Sequence, residues 1–283
     1  MIRADLHLHT NVSDGVLSPE NMVHECRMER LDVMAITDHD TFCGSDAALS
    51  LPHAPEILPG IELSLGDMPG LHLLGYGHTG PCVLRDRVRE LTQLREERAR
   101  SICRRLAEMG MELNFRELER KRHQCHAGAT IGRPHIARAM VQARYVRNMH
   151  EAFEKYLGNG RPAYVACQRM NMEEALRVLH DSGFIAVLAH PLELNLEDQL
   201  LYSLVKKWKN MGLDGVEVYH PSAASGGYAT LDRMARDLTL LVTGGSDFHQ
   251  EHNPAQTRIG STLPAWRRVE EDLEKLRERI RSV

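Results

Sequence analysis

Short runs of apolar residues alternate along the chain with longer segments in which apolar residues recur every three or four positions. The short runs predict buried strands, and the longer segments predict amphipathic helices. Several runs are almost continuously apolar, which is typical of parallel strands covered on both faces. We predict strands at Ile2–His9, Val33–Ile36, Ile57–Leu65, Leu71–Tyr76, Phe184–Ala189, Val216–Val218 and Leu238–Thr243.

Helical spacing fills most of the intervals between these strands. Ser18 and Pro19 are typical of a helix start, because a serine hydroxyl caps free backbone N–H groups and proline suits the first turn. Helices are predicted at Pro19–Arg30, Met172–Ser182, Glu197–Met211, Ala229–Asp237 and Arg267–Ile280. The result is about seven strand–helix units, an α/β pattern close to a TIM-type barrel that lacks one unit.

One long segment interrupts this alternation. From Val83 to Met109 the apolar positions follow helical spacing, and no strand pattern then appears until about Ala163. Further helices are predicted at Pro134–Arg144 and His150–Leu157. We therefore expect a small helical cap subdomain inserted at residues 100–165, with residues 1–99 and 166–283 forming the main domain.

The charge of the chain is unevenly distributed between these two parts. The whole chain has a formal net charge of −4, which argues against a protein that coats nucleic acid. Residues 111–165 carry ten Lys or Arg side chains and five acidic ones, so this segment has a net charge of +5 and the remainder −9. A basic cap on an acidic body suits an anionic ligand held next to metal ions.

Other features of the sequence bear on its location. No apolar run approaches the roughly 20 residues of a membrane-spanning helix, and the first residues lack the apolar stretch of a signal peptide. The six cysteines are scattered and never form C-x-x-C, so free thiols are expected. We expect a cytoplasmic protein without a membrane partner.

Histidine is frequent, with 16 residues, and many of these histidines follow predicted strands together with acidic residues. In a parallel barrel the carboxyl ends of the strands meet at one rim, so these side chains should converge. Such a cluster needs a compensating cation, and its nitrogen and oxygen donors suit Zn, Mn or Fe. There are more donors than one ion can use, so two or three ions are expected. The candidate ligands are His7, His9, Asp14, His39, Glu62, His72, His190, Asp247 and His249.

The same positions form a series of short motifs. They are Asp5-Leu6-His7-Leu8-His9-Thr10, Ser13-Asp14-Gly15, Thr37-Asp38-His39-Asp40, Gly60-Ile61-Glu62, Ala189-His190-Pro191 and Gly245-Ser246-Asp247-Phe248-His249. In order and spacing they resemble the PHP (polymerase and histidinol phosphatase) superfamily, from residue 1 to about residue 262. The insertion, with Gly132–Ala137 and Gly160–Val165, is similar to the branch that hydrolyses nucleoside 3′,5′-bisphosphates and removes 5′ nucleotides from short RNAs.

The resemblance implies a distorted (β/α)7 TIM-like barrel with a three-ion site, with manganese as the expected metal and iron or zinc as alternatives. The implied ligand sets are His7, His9, Glu62 and Asp247 for the first ion, Glu62, His72 and His190 for the second, and Asp14, His39 and His249 for the third. Arg133 and Arg161 match basic positions that face the substrate phosphate, and His135 lies near them in the sequence.

These features predict hydrolysis of a phosphate monoester of a nucleoside 3′,5′-bisphosphate such as pAp by a metal-activated hydroxide, together with 5′ to 3′ trimming of short RNAs. His220 and Asp40 are the candidates for the acid that protonates the leaving ribose oxygen. The expected partners are a nucleotide or short oligoribonucleotide and phosphate, without a stable DNA complex. Two alternatives stay open: another PHP phosphatase, such as one for histidinol phosphate, and a non-catalytic metal-binding PHP module. The sequence leaves the oligomeric state open.

Overall fold

The computed structural model describes residues 2–52, 54–125, 131–224, 226–249, 258–262 and 265–282. The strands in these ranges are β1 (Ala4–Leu8), β2 (Val33–Ile36), β3 (Glu56–Ile57), β4 (Gly60–Ser64), β5 (His72–Tyr76), β6 (Ile185–Leu188), β7 (Gly215–Tyr219) and β8 (Leu241–Gly244). The α-helices are α1 (Pro19–Met28), α2 (Cys43–Leu49), α3 (Val83–Glu108), α4 (Phe115–Cys125), α5 (Arg133–Gln142), α6 (Met149–Ala152), α7 (Met172–Asp181), α8 (Asp198–Asn210), α9 (Gly227–Asp237) and α10 (Val269–Ser282). A π-helical turn, Phe153–Leu157, follows α6.

The strands form two sheets, one with the order β1-β2-β3 and the other with the order β4-β5-β6-β7-β8. The predicted α/β fold is confirmed. The expectation that all strands run parallel is wrong, because β5 runs antiparallel to both β4 and β6. Only residues 65–71 separate β4 from β5, and this stretch is too short for the crossover that a parallel pair requires.

Backbone hydrogen bonds join the two sheets at two places. The N–H of His9 donates to the carbonyl oxygen of Phe248, which follows β8, over 3.0 Å. The N–H of Asp40, which follows β2, donates to the carbonyl oxygen of Glu62 on β4 over 2.8 Å. The strand ends of both sheets are therefore held at one common edge. The described residues form two linked sheets and not one continuous ring of paired strands, so the barrel stays a prediction.

The start of α1 follows the predicted capping pattern. The hydroxyl of Ser18 accepts a hydrogen bond from the N–H of Asn21 over 3.2 Å, and Pro19 occupies the first helical position. Met22, Val23 and Cys26 recur at helical spacing and are buried, and they pack together with residues of β1 and β2. The amphipathic pattern thus sets which face of α1 covers the three-stranded sheet.

The hydrophobic core is divided between the sheets and the inserted segment. The largest cluster lies between the five-stranded sheet and its helices, with Phe184 and Trp266 among its largest buried side chains. A separate cluster, with Ile102, Ile136 and Met140 at its centre, lies within residues 99–163. Helix α3 contributes to both clusters and runs unbroken across position 100. The cap boundaries at residues 100 and 165 stay a prediction.

Two findings concern helices and thiols. Within the described ranges, none of the helices combines the length and the apolar character that crossing a bilayer demands. The five cysteines whose side chains are described are free, as the sequence predicts, and they are Cys26, Cys43, Cys82, Cys103 and Cys167. Cys125 lies outside the described side chains.

The carboxylate of Asp5 fixes the chain that follows β8. This side chain is fully buried, and it accepts hydrogen bonds from the N–H of Ser246 over 2.9 Å and from the N–H of Gly260 over 2.7 Å. Burial raises the pKa of Asp5, although these bonds favour its ionised form. Asp5 therefore holds the loop that carries Asp247 and His249 against the first strand.

Replacing Asp5 by alanine should destabilise the fold, because it leaves two buried N–H donors without an acceptor. We expect Asp5→Ala to lower the free energy of unfolding by about 2–5 kcal/mol, measured by urea denaturation. Asp32→Ala is the matched control, because Asp32 is exposed and accepts one bond, from the N–H of Arg3. Equal losses in the two variants would contradict the anchoring role of Asp5.

Candidate metal centre

Of the nine side chains singled out by the sequence, the carboxylate of Glu62 is the central one, and the other eight lie around it. This carboxylate extends from β4 and is about 1% exposed. Its Oε1 lies 2.9 Å from Nδ1 of His72 and 3.0 Å from Nε2 of His190. Its Oε2 lies 3.1 Å from Nε2 of His9 and 3.1 Å from Nδ1 of His39. One buried carboxylate thus contacts imidazoles carried by several separate segments.

The first group of donors consists of His7, His9, Glu62 and Asp247. The Nε2 atoms of His7 and His9 face each other at 3.1 Å. Oδ1 of Asp247 lies 3.3 Å from the first of these nitrogens and 3.2 Å from the second. Donor atoms bound about 2.1 Å from one ion lie roughly 3.0–3.4 Å apart, so these four atoms fit around a single divalent ion.

Two further groups of donors flank the first. Asp14 Oδ1 lies 3.2 Å from Nε2 of His249, and Asp14 Oδ2 lies 3.9 Å from Nε2 of His39. On the other side, Nδ1 of His72 lies 3.2 Å from Nε2 of His190, and both nitrogens contact Glu62. His39 reaches both flanking groups, because one ring nitrogen contacts Glu62 and the other faces Asp14.

The chemistry of these donors fits divalent cations. Oε2 of Glu62 and Nδ1 of His39 are buried and lie 3.1 Å apart, yet neither has a hydrogen-bond partner among the described residues. Lone pairs that converge without a shared proton in a buried site call for a cation. Imidazole nitrogens and carboxylate oxygens together suit first-row divalent metals.

Backbone geometry brings these side chains to one edge of the sheets. His7 lies near the carboxyl end of β1, and His190 and Asp247 follow the carboxyl ends of β6 and β8. Glu62 lies at the middle of β4, whereas His72 is the first residue of β5. Because β5 is antiparallel and pairs His72 with Ser64, the last residue of β4, its amino end lies at the same edge. His190 and Asp247 have positive φ angles of 26° and 51°, which are rare for residues other than glycine and store strain at the site.

Glu217 supports the donors and was not among the predicted ligands. Its Oε1 lies 3.1 Å from Nδ1 of His7, and its Oε2 accepts a hydrogen bond from the N–H of His190 over 2.8 Å. A carboxylate in this position orients a ligating imidazole and increases its basicity. The available sequence signal was an acidic residue interrupting the apolar strand β7.

The histidines of the cluster differ widely in pKa. Burial disfavours the charged form of His9, but the adjacent carboxylates of Asp247 and Glu62 outweigh burial and raise the pKa of His9 to about 10. Burial likewise opposes protonation of His190, but Glu62 raises its pKa to about 8. Burial dominates at His39 and lowers its pKa to about 3. Burial alone would raise the pKa of Glu62, but the surrounding imidazoles hold it well below its usual value.

A cavity of about 170 Å³ opens beside the donors. Asp14, His39 and His72 line this cavity. The described lining also contains a group of basic side chains, Arg95, Arg98, Arg133, His135 and Arg169. Arg95, Arg98 and Arg169 were missed by the sequence analysis. Arg95 and Arg98 stand three positions apart on α3, a spacing that places them on one helix face.

The remaining predicted residues occupy different positions. Asp40 is buried and forms an ion pair with Arg95, and its Oδ1 accepts a hydrogen bond from the N–H of Ser64 over 3.0 Å. His220 is buried, and its Nε2 lies 3.6 Å from Oδ2 of Asp247. Arg161 is exposed and is not among the described residues that line the cavity.

Glu193 is a further acidic residue that the sequence analysis did not select. It is half-exposed, and its Oε2 lies 3.8 Å from Nδ1 of His190. Together with His220 and Asp247 it offers a fourth set of donor atoms close enough to share an ion. In the sequence, Glu193 is distinguished only by its position three residues after the predicted ligand His190.

Comparison with known proteins identifies relatives along almost the whole chain. The sequence pattern of the PHP domain family matches residues 5–67. A 5′-3′ exoribonuclease from Haemophilus influenzae is 31% identical over 272 residues, which cover 93% of this chain and 97% of the relative. A 3′,5′-nucleoside bisphosphate phosphatase from Chromobacterium violaceum is 30% identical, with coverage of 95% and 97%.

A solved structure resembles the fold over a similar extent. The structure of an amidohydrolase from Chromobacterium violaceum, determined with bound sulfate, aligns with a TM-score of 0.76 at 27% sequence identity. The alignment covers 95% of this chain and 96% of that chain. The motifs, the clustered donors and the relatives that match from end to end agree, and the chain belongs to the PHP family.

Proposed function

We propose that this protein removes a phosphate from nucleoside 3′,5′-bisphosphates such as adenosine 3′,5′-bisphosphate, and that it also trims short RNAs from the 5′ end. The chain is a hydrolase that acts on phosphate esters. One observation supports this choice of substrate: the same cavity is lined by residues of the donor cluster and by several arginines. A bisphosphate can place one phosphate at the donors and the other at the arginines.

The proposed ligands of the metal ions are the nine predicted residues in the three sets described above. Divalent ions held there would supply Lewis acidity for the phosphoryl oxygens and a hydroxide nucleophile at neutral pH. Manganese is the proposed metal, with iron or zinc as alternatives. Glu217 would orient His7, and Arg133 would bind the phosphoryl group or its neighbour in the substrate.

His220 is the proposed acid for the leaving ribose oxygen. Its Nδ1 accepts a hydrogen bond from the N–H of Ser222 over 3.1 Å, so in the neutral ring the proton resides on Nε2. That Nε2 is buried beside Asp247 and has no hydrogen-bond partner among the described residues. Asp40 fits this role less well, because its carboxylate is already paired with Arg95.

We also infer that the two sheets act together as a distorted (β/α)7 barrel with the inserted segment as its cap. Isolated parallel bridges link Leu8 to Phe248 and His39 to Glu62. With these bridges, seven strands can be followed in a ring from β1 through β2, β4, β5, β6, β7 and β8 back to β1, with β3 outside. This arrangement would account for the convergence of the donors at one rim.

Loss of His190 should abolish catalysis while leaving the fold intact. We expect His190→Ala to lower kcat for adenosine 3′,5′-bisphosphate by at least ~100-fold, because the substitution removes a donor that contacts Glu62. Phosphate release measures activity, and thermal unfolding checks the fold. His24→Ala is the control, since His24 is exposed on α1. Full activity of His190→Ala would contradict the proposal, and preferential turnover of histidinol phosphate would favour the first alternative.

Loading the metal-free protein with Mn²⁺ should release protons. His9, with a pKa of about 10, and His190, with a pKa of about 8, are mostly protonated at pH 7 and must lose protons to bind a cation. The affinity for Mn²⁺ should therefore rise between pH 6 and pH 8.

Calorimetric titrations in buffers of different ionisation enthalpy count the released protons. Chelation should abolish activity, and added Mn²⁺ should restore it. In the metal-free protein the His9 contribution to stability should be present below about pH 6.5 and disappear as the pH rises towards 10, because the folded-state pKa is the higher one. A Mn²⁺ affinity that does not change with pH would exclude protonated ligands.

The acid role of His220 can be tested with two leaving groups. We expect His220→Gln to lower kcat for adenosine 3′,5′-bisphosphate by about 100-fold, because the ribose oxygen needs a proton as it leaves. For p-nitrophenyl phosphate, whose leaving group is a stable anion, the loss should stay within about fivefold. Asp40→Asn is the comparison variant. If Asp40→Asn shows the dependence on leaving group and His220→Gln does not, the acid is Asp40.

A further inference from the structure

The loop at residues 157–165 holds arginines of other elements through its backbone. The carbonyl oxygen of Leu157 accepts a hydrogen bond from Nη1 of Arg133 over 3.2 Å. The carbonyl oxygen of Val165 accepts one from Nε of Arg98 over 2.7 Å. Arg161, within the same loop, is exposed. The loop therefore contributes to the cavity by fixing Arg98 and Arg133 more than by presenting Arg161.

The aromatic ring of Tyr164 contacts both of these arginines. Cζ of Arg98 lies 5.7 Å from the centre of the Tyr164 ring, and Cζ of Arg133 lies 5.9 Å from it. A guanidinium group within about 6 Å of an aromatic face is attracted by the electron density of the ring. Among the described residues, the cavity wall includes Arg98 and Arg133 but not Tyr164. Tyr164 can therefore act on a ligand only through the two arginines.

The positive charge of Arg98 and Arg133 is directed at the cavity and is not neutralised by the protein. Within the described part of the chain, neither guanidinium forms an ion pair with a carboxylate. Their partners are carbonyl oxygens, aromatic rings and, for Arg98, the side chain of Cys167. Burial and the neighbouring arginines lower the pKa of Arg133, and burial lowers that of Arg98. Two partly buried cations held close together are unfavourable unless an anion joins them. A phosphate matches two such guanidinium groups.

We propose that Tyr164 is a positioning residue whose ring holds Arg98 and Arg133 as a paired clamp for the second phosphate of the substrate. The first phosphate would lie at the donor cluster in the same cavity. The clamp thereby sets the preference for bisphosphates over monophosphates. This inference rests on the proposed function for the identity of the ligand, but the preference itself can be measured by binding alone.

The test compares two ligands and variants of one side chain. In Tyr164→Leu the ring is lost, and we expect KM for adenosine 3′,5′-bisphosphate to rise by about tenfold with kcat within about twofold. The affinity for adenosine 3′-monophosphate should change by less than about twofold, because its single phosphate would lie at the donors and it lacks the second phosphate, which the clamp would hold. Calorimetry on the His190→Ala background measures both affinities without turnover.

Three further variants make the result specific to the ring. Tyr164→Phe keeps the ring and should retain the wild-type KM. Tyr164→Met also lacks the ring and serves in place of Tyr164→Leu if thermal unfolding shows that variant to be unfolded. Tyr145→Leu is the control for loss of a tyrosine in the same segment, because Tyr145 is exposed and its hydroxyl donates to the carbonyl oxygen of Glu112. It should leave both affinities unchanged.

The outcomes separate this inference from the proposed function. If the wild type binds the bisphosphate more tightly than the monophosphate and only the variants without the ring lose this preference, the clamp is supported even when no turnover is found. If turnover occurs and the ring-less variants behave like Tyr145→Leu, the positioning role of Tyr164 is wrong. The role is also wrong if the wild type binds both ligands equally.

Discussion

The buried carboxylate of Glu62 is the group on which the rest of the site depends. A carboxylate removed from water needs opposite charge close by, and among the described residues that charge comes from the surrounding imidazoles, which can also hold cations between them. The same residue is a structural joint, because its carbonyl oxygen accepts the backbone hydrogen bond that links the segment after β2 to β4. Glu62 therefore both connects the two sheets and forms the centre of the donor cluster.

Several residues around Glu62 have strained backbone conformations. His190, Asp247 and Asp40 all have positive φ angles, and each lies next to the donor cluster or to the arginines that face it. Buried hydrogen bonds hold these conformations in place, such as that from the His190 N–H to Glu217. The local cost of these conformations is thus balanced by contacts that exist only when the strand ends are assembled.

The cavity lining contains two kinds of residue, the donors that suit metal-dependent chemistry and the arginines that suit binding of an anion. The donors are imidazoles and carboxylates on the strands and the loops that follow them, and the arginines of the lining include Arg95 and Arg98 on α3 and Arg133 on α5. Asp40 connects the two groups, because it follows β2 and pairs with Arg95 on α3. This pairing explains how α3, which continues into the inserted segment, keeps a fixed position relative to the donors.

Some positions in the donor cluster follow from local sequence, and others depend on the direction of a strand. The strand-end positions of His7, His190 and Asp247 were visible as polar residues that end apolar runs, and these side chains do converge. His72 converges for a different reason, since β5 is antiparallel and delivers its first residue to the edge. The sequence also singled out the loop at residues 157–165 through its Gly160-Arg161-Pro162 motif. The contacts of this loop with arginines are made by backbone carbonyl oxygens and by the ring of Tyr164, and a sequence motif does not show such contacts.

The sequence by itself determined the α/β alternation, and it singled out the helical segment and the candidate donors, because hydrophobic period and residue chemistry are local properties. Tertiary structure alone decided strand direction, the pairing of Asp40 with Arg95, and which arginines face the cavity. These features depend on contacts between residues far apart in the chain. Arg95 and Asp40, separated by a helix and three strands, carry no shared signal until the fold brings them together.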